Sequence, residues 1–469
     1  MSAFSTVIQL IYVAAASCFV LGLHLMNNPA TARRGNQVST AGMVAAVVAT
    51  LALIIHAGAI TVTGWIVMAA GALVGAGVGL YSARTVQMTA MPQLVSVFNA
   101  VGGGAAALVG IHDYMNLADA GRGVPGSITV TTLLDVIIGA VTFSGSIIAA
   151  GKLQGLITSA PVTFPGSRAV NLLLAVVTLA ACGYLIATPS LPGLGIVIVA
   201  ALAFGVSMVM PIGGADMPVV ISLLNAFTGT AVAMAGFVIG NWALIIAGAL
   251  VGASGGILTK LMADAMNRSI GNIIVGGFGT GDSAAAILPG AGAGVRAIEA
   301  DDAAIQLAYA SKVIIVPGYG LAAAQAQHAV AELADLLESR GVEVSYAIHP
   351  VAGRMPGHMN VLLAEAEVDY DAMKDMDDIN DEFSRTDVAI VIGANDVTNP
   401  AARNDASSPI YGMPILNVDK ARSVIVLKRS MNSGFAGIDN PLFYGEGTTM
   451  LFGDAKKSVS EVAEELKAL

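Results

Sequence analysis

Charge is what this sequence lacks. Only 12% of its 469 residues are Asp, Glu, Lys or Arg, against about 25% in a soluble globular domain, so the chain cannot be soluble throughout. Cysteine is almost missing too. Cys18 and Cys182 are the whole complement, and both lie in apolar runs, which excludes a disulfide framework and argues against a zinc site. Positive charge is in deficit: the net charge is −10 and the pI is near 5.0, a balance that argues against nucleic acid as a partner. What fills the space is apolar. Hydrophobic residues make up 55% of the chain, and the mean hydropathy is +0.76.

The little charge there is falls unevenly. Residues 1–268 hold eight basic and five acidic side chains, a net of +3, while the remaining 201 residues hold 14 basic and 27 acidic ones, a net of −13. Two chemically different parts are therefore fused at about residue 265: a membrane domain over 1–265, a glycine-rich linker over 266–305 and a soluble domain over 306–469.

One helical span needs about 20 apolar residues, so spans are counted from the gaps between charges. Residues 3–25 make one. The stretch 35–83 makes two, turning at Ile60–Gly64, and 85–112 makes another. Residues 123–151 are interrupted only by Asp135. The stretch 169–215 breaks at Thr188–Gly193, and 217–259 breaks near Gly240-Asn241-Trp242, each giving two. The expectation is nine spans and an α-helical membrane bundle. The first run has no basic residue before it and no clear cleavage site, which speaks against a signal peptide. Nine spans put the termini on opposite sides. Alternate loops carry Arg33, Arg34, Arg84, Lys152, Arg168, Lys260 and Arg268, against Arg122 alone in the opposite set. By the positive-inside rule the C-terminal half is cytoplasmic.

Glycines such as Gly71, Gly75 and Gly79, or Gly102–Gly104, read as close helix packing. In so charge-poor a bundle, polar groups stand out. Asp216, in Gly213-Gly214-Ala215-Asp216-Met217-Pro218, reads as a helix N-cap that could also admit a proton. Asn225 lies ~13 Å deeper at 1.5 Å per residue, with Ser222 on the same face; helix–helix glue is the plainer reading. Asn99 sits similarly deep, with Ser96 three residues before it. Asp135, within reach of the Thr131 and Thr132 hydroxyls, reads as a solvated mouth residue on the outer side. His56 and His112 fall at outer span ends and read as interfacial.

In the soluble half, Gly276–Gly281 and Leu288–Gly294 have linker composition and no flanking strand or helix pattern, so they are not phosphate loops. A strand at Lys312–Val316 then runs into Pro317-Gly318-Tyr319-Gly320-Leu321-Ala322-Ala323, and a helical stretch follows to Arg340. Strand, Gly-x-Gly-x-x-Ala and helix match the dinucleotide motif in its context. An NAD site would end the next strand, Val342–Ile348, in an acidic residue; instead it runs into His349–Gly357, which contains Arg354. Strand Val388–Ile392 ends in Gly393-Ala394-Asn395-Asp396, and strand Ser423–Leu427 ends in Lys428-Arg429-Ser430. The last offers two cations and a hydroxyl to a phosphate, the alternative being a solvated basic turn. The expectation is a Rossmann-like parallel α/β domain with an NADP-type site.

Nine spans, a glycine-rich linker and an NADP-type domain resemble the β subunit of the proton-translocating NAD(P) transhydrogenase over the whole chain. The resemblance is carried most specifically by Gly213–Pro218, His349–Ala366, Gly393–Ala402 and Lys428–Met431. It implies an NADP(H)-binding domain with the cofactor in reversed orientation. Tyr319, Val351, Ala352, Gly353, Arg354, Met355, Pro356, Gly393, Ala394, Asn395, Asp396, Val397, Gly412 and Met413 would line it, with Lys428, Arg429, Ser430, Met431, Asn432, Ser433, Gly434, Phe435, Asp454 and Ala455. Phe435 stands where a Tyr is usual: the ring still stacks, but the hydroxyl is lost. The resemblance further implies hydride transfer from NADH to NADP⁺ driven by proton entry. NAD(H) would be bound by a partner α subunit, the protomers would pair in a lipid-embedded dimer, and the seat would be the bacterial plasma (inner) membrane. Asn99, Asp135, Asp216, Ser222 and Asn225 would form the proton pathway. Many members have a His where this sequence has Asn99; an amide does not titrate near pH 7, so the titrating His is expected on a companion subunit's helix.

Two readings compete. An ion channel or transporter gated by a cytoplasmic NADP-sensing domain predicts the same layout, but no Thr-Val-Gly-Tyr-Gly-type filter occurs. A self-contained membrane dehydrogenase would need a second cofactor motif, and none is found.

Overall fold

The computed structural model describes residues 3–26, 29–58, 60–119, 126–158, 162, 166–188, 190–213, 216–266, 269–271, 294–354, 357–406, 408, 410–432, 434 and 438–469. Among these residues, nine helices are long and apolar enough to cross a membrane. They are α1 (Ala3–Leu25), α2 (Pro29–Ala57), α3 (Val62–Thr85), α4 (Met91–Asp119), α5 (Gly126–Leu153), α6 (Ser167–Ala187), α7 (Leu191–Val209), α8 (Met217–Ile239) and α9 (Trp242–Ala265). The breaks between spans carry their own caps. Before α7, Ser190 Oγ accepts the Gly193 N–H at 3.3 Å. Before α9, Asn241 Oδ1 accepts the Ala243 and Leu244 N–H groups. Each satisfies donors that a helix start leaves orphaned. Thr61 does the same for Gly64, so Val62–Gly64, expected in the turn, is already helix.

Contact within the chain divides it into two compact units, Met1–Pro211 with Val220–Ile257, and Ile212–Val219 with Leu258–Leu469. In the first unit, glycine sets how closely helices meet. A Cβ on Gly35 would lie 2.6 Å from the Gly22 carbonyl, one on Gly139 2.5 Å from the Gly103 carbonyl, and one on Gly229 2.3 Å from the Gly252 nitrogen. Backbones therefore touch where α1 meets α2, α4 meets α5 and α8 meets α9. The α3 glycines behave otherwise. No residue of α3 is buried, and nothing lies within 4 Å of a Cβ built on Gly71, Gly75, Gly77 or Gly79. The packing expected at Gly71, Gly75 and Gly79 is not made among the described residues.

The second unit is built on a six-stranded parallel sheet of order β3-β2-β1-β4-β5-β6. The strands are β1 (Lys312–Pro317), β2 (Glu343–Ile348), β3 (Met373–Asp375), β4 (Val388–Ile392), β5 (Ser423–Lys428) and β6 (Thr448–Phe452). Helices α10 (Ala300–Ala308), α11 (Tyr319–Ala323), α12 (Gln327–Ser339), α13 (His358–Glu365) and α14 (Ala455–Ala468) accompany it. Both faces are covered, as a parallel sheet requires. Ile314, Val316, Ala389, Val391, Val424 and Val426 pack on one side with Phe383, Leu416 and Phe443. On the other, Ile390, Ile425 and Leu427 meet Leu307, Leu333 and Val462.

Two expectations shift here. Arg296 and Ile298 exchange backbone hydrogen bonds with Met450 of β6, and α10 packs on α14. The sheet unit thus takes in chain that composition assigns to the linker; the runs at 276–281 and 288–293 lie outside the described residues. The helix expected from the Gly motif to Arg340 is broken into α11 and α12, with Gln325 at φ +50° between them.

Candidate functional site

The strand order reverses direction between β1 and β4, which is the switch point where open α/β sheets bind ligands. Here the two loops at that point are pressed together. The Gly318 N–H donates to the Ile392 carbonyl and the Gly320 N–H to the Gly393 carbonyl, both at 2.9 Å. A Cβ on Gly318 would stand 2.4 Å from Ala394 Cα, and one on Gly393, at φ +67°, 2.4 Å from Gly320 Cα. The motif's glycines are spent on loop-to-loop contact.

The open space lies to one side, at the carboxyl ends of β4, β5 and β6. A cavity of about 230 Å³ is lined by Gly320, Gly393, Ala394, Asn395, Leu427, Lys428, Arg429, Ser430, Asn432, Gly434, Gly453 and Ala455. Nine of these were expected from the sequence. Gly320, Leu427 and Gly453 were not, although Gly320 sits inside the quoted motif, Leu427 is the penultimate residue of β5 and Gly453 directly follows β6.

Lys428 closes β5, and its Nζ donates to the Asn432 carbonyl and lies 4.6 Å from the Phe443 ring centre. Burial lowers its pKa, opposed by the carboxylates of Asp439 and Asp396. Arg429 and Ser430 are exposed at the rim. Asp454 caps α14, accepting the Lys457 N–H at 3.3 Å, and Ala455, the first residue of that helix, reaches the cavity. A helix start beside two cations favours an anion.

Asn395 is fixed by Asn440, whose Nδ2 donates to the Asn395 carbonyl at 3.0 Å. The Asn395 Nδ2 is buried and has no hydrogen-bond partner among the described residues. A Cβ on Gly434 would come within 2.3 Å of that Nδ2 and 2.6 Å of Asp396 Oδ1. Only glycine lets the loop after β5 lie on the loop after β4. Met431 packs on the sheet core, and Met355, Pro356, Ser433 and Phe435 lie outside the described residues.

A second group sits past β1 and β2. The Arg354 guanidinium lies 4.1 Å from the Tyr319 ring centre, and Val351, Ala352 and Gly353 connect it to β2. Two buried histidines, absent from the expected set, organise this segment. His349 Nε2 donates to the Pro414 carbonyl at 2.8 Å, and its Nδ1 accepts the Val351 N–H at 3.2 Å. His358 Nδ1 accepts the Arg354 N–H at 3.0 Å. Burial lowers both pKa values to about 4, with the Arg354 charge adding to the effect at His358. Through Pro414, His349 also ties in Gly412 (φ +80°) and buried Met413, while Val397 accepts the Leu416 N–H.

In the membrane helices, Asn99 is buried; its Nδ2 donates to the Ile221 carbonyl at 3.4 Å, and its backbone carbonyl accepts the Thr228 hydroxyl at 3.2 Å. Ile221, Asn225 and Thr228 follow helical spacing, so Asn225 is on the face of α8 that meets Asn99. Ser222, three residues before Asn225, donates to the Gly255 carbonyl of α9. Asp216 directly precedes α8 in the cap position.

Asp135 differs from expectation. It is fully buried, against Gly110. Neither its carboxylate oxygens nor Thr132 Oγ1 has a partner of full hydrogen-bond geometry among the described residues. The expected Thr132 bond and the solvated setting are both replaced by packing. Lys152, expected in a loop, is buried and donates to the Met210 carbonyl at the end of α7.

Comparison with known proteins agrees with this layout. The family model for the NAD(P) transhydrogenase beta subunit matches residues 8–465. Two curated proteins from Rhodospirillum rubrum, one from a named strain, are both called NAD(P) transhydrogenase subunit beta. Each is 50% identical over 460 residues, covering 97% of this chain and 98% of the relative. With apolar spans in one half, a doubly wound sheet in the other and agreement along nearly all its length, the chain belongs to the NAD(P) transhydrogenase beta subunit family.

Proposed function

We propose that this chain binds NADP(H) at the carboxyl ends of β4, β5 and β6 and receives hydride from NADH held by an α subunit. The same chain also conducts the proton that drives the reaction. The observation that carries the reading is the cavity with Lys428, Arg429 and Ser430 at its rim, beside the start of α14. Two cations and a hydroxyl suit a phosphate monoester. The residues fit the cofactor on a second count: Asn395 holds a buried Nδ2 with no partner among the described residues, over the gap left by Gly434.

When bound, the nicotinamide supplies the hydride chemistry, so no side chain need act as acid or base. The protein's work is binding and orientation. Lys428 and Arg429 select the phosphorylated dinucleotide. Asn395 and Asp396 face the loop after β5. Tyr319 and Arg354 lie at the β1–β2 side, where the other end of the dinucleotide would reach in a reversed orientation. The blocked Gly318–Gly320 loop supports that reversal, because its glycines meet Ala394 and Gly393 rather than open space.

For the proton, Asp216, Asn225, Asn99, Ser222 and Asp135 line the route, with residues 1–265 as the translocating domain. Neutral Asn99 orders water and a companion subunit's His titrates. Moving one charge across the membrane is worth ~2.3 kcal/mol per 100 mV, enough to favour NADP⁺ reduction. The setting is the bacterial plasma membrane with the sheet domain (306–469) cytoplasmic, and protomers pair as a dimer. The test is reconstitution in proteoliposomes with an NAD-binding partner. NADP⁺ reduction by NADH should be accompanied by movement of protons, and Asp216→Asn or Asn225→Leu should depress both while NADP⁺ affinity holds. Reduction at normal rate without proton movement would overturn the coupling.

A further inference from the structure

The loop after β2 is built around one imidazole. His358 opens α13 and is fully buried. Its Nδ1 accepts the Arg354 N–H at 3.0 Å, so the ring is neutral and its proton is on Nε2. That Nε2 is buried and has no hydrogen-bond partner among the described residues. The chain wraps tightly over the ring: Gly353 adopts φ +106°, and a Cβ there would stand 2.5 Å from His358 Nδ1. Gly357, at φ +67°, turns the chain into the helix. Around the Tyr319 ring, the Arg354 guanidinium lies at 4.1 Å and the His358 ring at 6.3 Å between centres.

We propose that His358 is a positioning residue for the NADP(H) site: its neutral imidazole grips the Arg354 amide and thereby fixes the guanidinium over Tyr319. The inference rests on reading the sheet as the NADP(H) site. The guanidinium has a long, flexible stem and would sample many rotamers from a free loop. A hydrogen bond to its own backbone, with two positive-φ glycines flanking the segment, removes that freedom before the cofactor arrives. Preorganised contacts bind more tightly because the ordering cost is already met. A protonated ring would place Nδ1–H against the Arg354 N–H, donor against donor, and a second cation beside the guanidinium. The site therefore needs the neutral form, which its burial provides.

The test uses the full-length chain in detergent, with NADP⁺ affinity read by calorimetry. His358→Leu removes the acceptor and should weaken NADP⁺ binding roughly 3- to 10-fold, the effect of one hydrogen bond. His358→Asn, whose carbonyl accepts the same amide, should recover most of that loss. In an Arg354→Ala background either change should cost little more, because the group being positioned is gone. A loss of equal size in both backgrounds would make His358 merely structural and overturn the proposal, as would an unchanged affinity in His358→Leu. Should the Leu variant not fold, His358→Asn and His358→Gln in the two backgrounds carry the same comparison. A wild-type chain that fails to bind NADP⁺ overturns the site itself, a result separable from tight wild-type binding with no effect of His358.

Discussion

The helical unit and the sheet unit use the same device, a missing Cβ, to opposite ends. In the helices it is repeated along an interface, with Gly229, Gly236, Gly248, Gly252 and Gly255 all placing backbone against backbone or near it where α8 meets α9. No single contact dominates, and the result is a packed seam. In the sheet unit it occurs at a few points and joins two loops far apart in sequence, Gly318–Gly320 to Gly393–Ala394. There it fixes where a cavity can and cannot be. Charge follows the same division. The sheet unit sets half-buried Lys428 and exposed Arg429 at a cavity rim, whereas in the helices Lys260 and Asp264 pair at an exposed end of α9 and Lys152 is buried against protein.

The largest expected effect strikes the sheet side of this comparison. Changing Lys428 and Arg429 together to Ala would remove the two charge-assisted contacts proposed for the phosphate, each worth ~1.5–3 kcal/mol. NADP⁺ affinity of the full-length chain should fall by one to several decades, while weak NAD⁺ binding stays the same. Calorimetry with both nucleotides reads this directly, and unchanged NADP⁺ affinity would move the phosphate elsewhere.

Glycine substitutions come next, and they sharpen the contrast. Gly393→Ala must accommodate a left-handed backbone, about 1–2 kcal/mol, and a 2.4 Å overlap with Gly320 Cα, about 1–3 kcal/mol more. It should lower NADP⁺ affinity because the loops that bound the cavity part. Gly229→Ala meets the Gly252 nitrogen at 2.3 Å and should cost a similar overlap term. Its effect should be seen in detergent melting temperature with NADP⁺ affinity intact. If both variants shifted both readouts equally, the division of labour would be wrong.

Much of this architecture is legible in the sequence, for reasons that differ by unit. Spans are legible because length and apolarity are local, and their breaks because Ser190 and Asn241 cap helices from their own loops. The strands and the Lys428–Ser430 cluster are local too. What the sequence hides is contact between distant segments. Gly318-x-Gly320 reads as a phosphate-binding turn, but its partner is Gly393, more than seventy residues on. His349 and His358 look like two unremarkable histidines until Pro414 and Arg354 reach them. The flanking glycines at 353 and 357 were the available hint. Asp135 misled for a related reason: its Thr neighbours promised local hydrogen bonds, and packing on Gly110 from another helix prevailed.

His349 gives a pH test of the sheet unit. Its folded pKa is near 4, below the ordinary 6.5, so the unfolded chain binds more protons between those values. Stability is therefore complete above about pH 6.5 and falls as pH drops towards 4, by about 1.4 kcal/mol for each pH unit crossed in that window. His358, also near 4, acts with the same sign. Melting temperature should decline between pH 6.5 and 4.5, and His349→Gln, which can still donate to Pro414, should flatten part of that decline. A profile as steep in the variant would take His349 out of the account.

The smallest effect belongs to α3. Among the described residues nothing lies within 4 Å of where a Cβ on Gly75 would stand, and the same holds for Gly71 and Gly79; no residue of the helix is buried. Gly75→Ala therefore meets no overlap, and the helix gains intrinsic propensity of about 1 kcal/mol at most. The melting temperature of the purified chain should stay level or rise slightly. Gly229→Ala supplies the contrast, since the same added methyl there strikes backbone. A clear fall for Gly75→Ala in the chain alone would mean that α3 has a close neighbour within the chain after all. A fall confined to the assembled complex would instead place another subunit's helix against this face, and the two units' shared use of glycine would extend to the interface between chains.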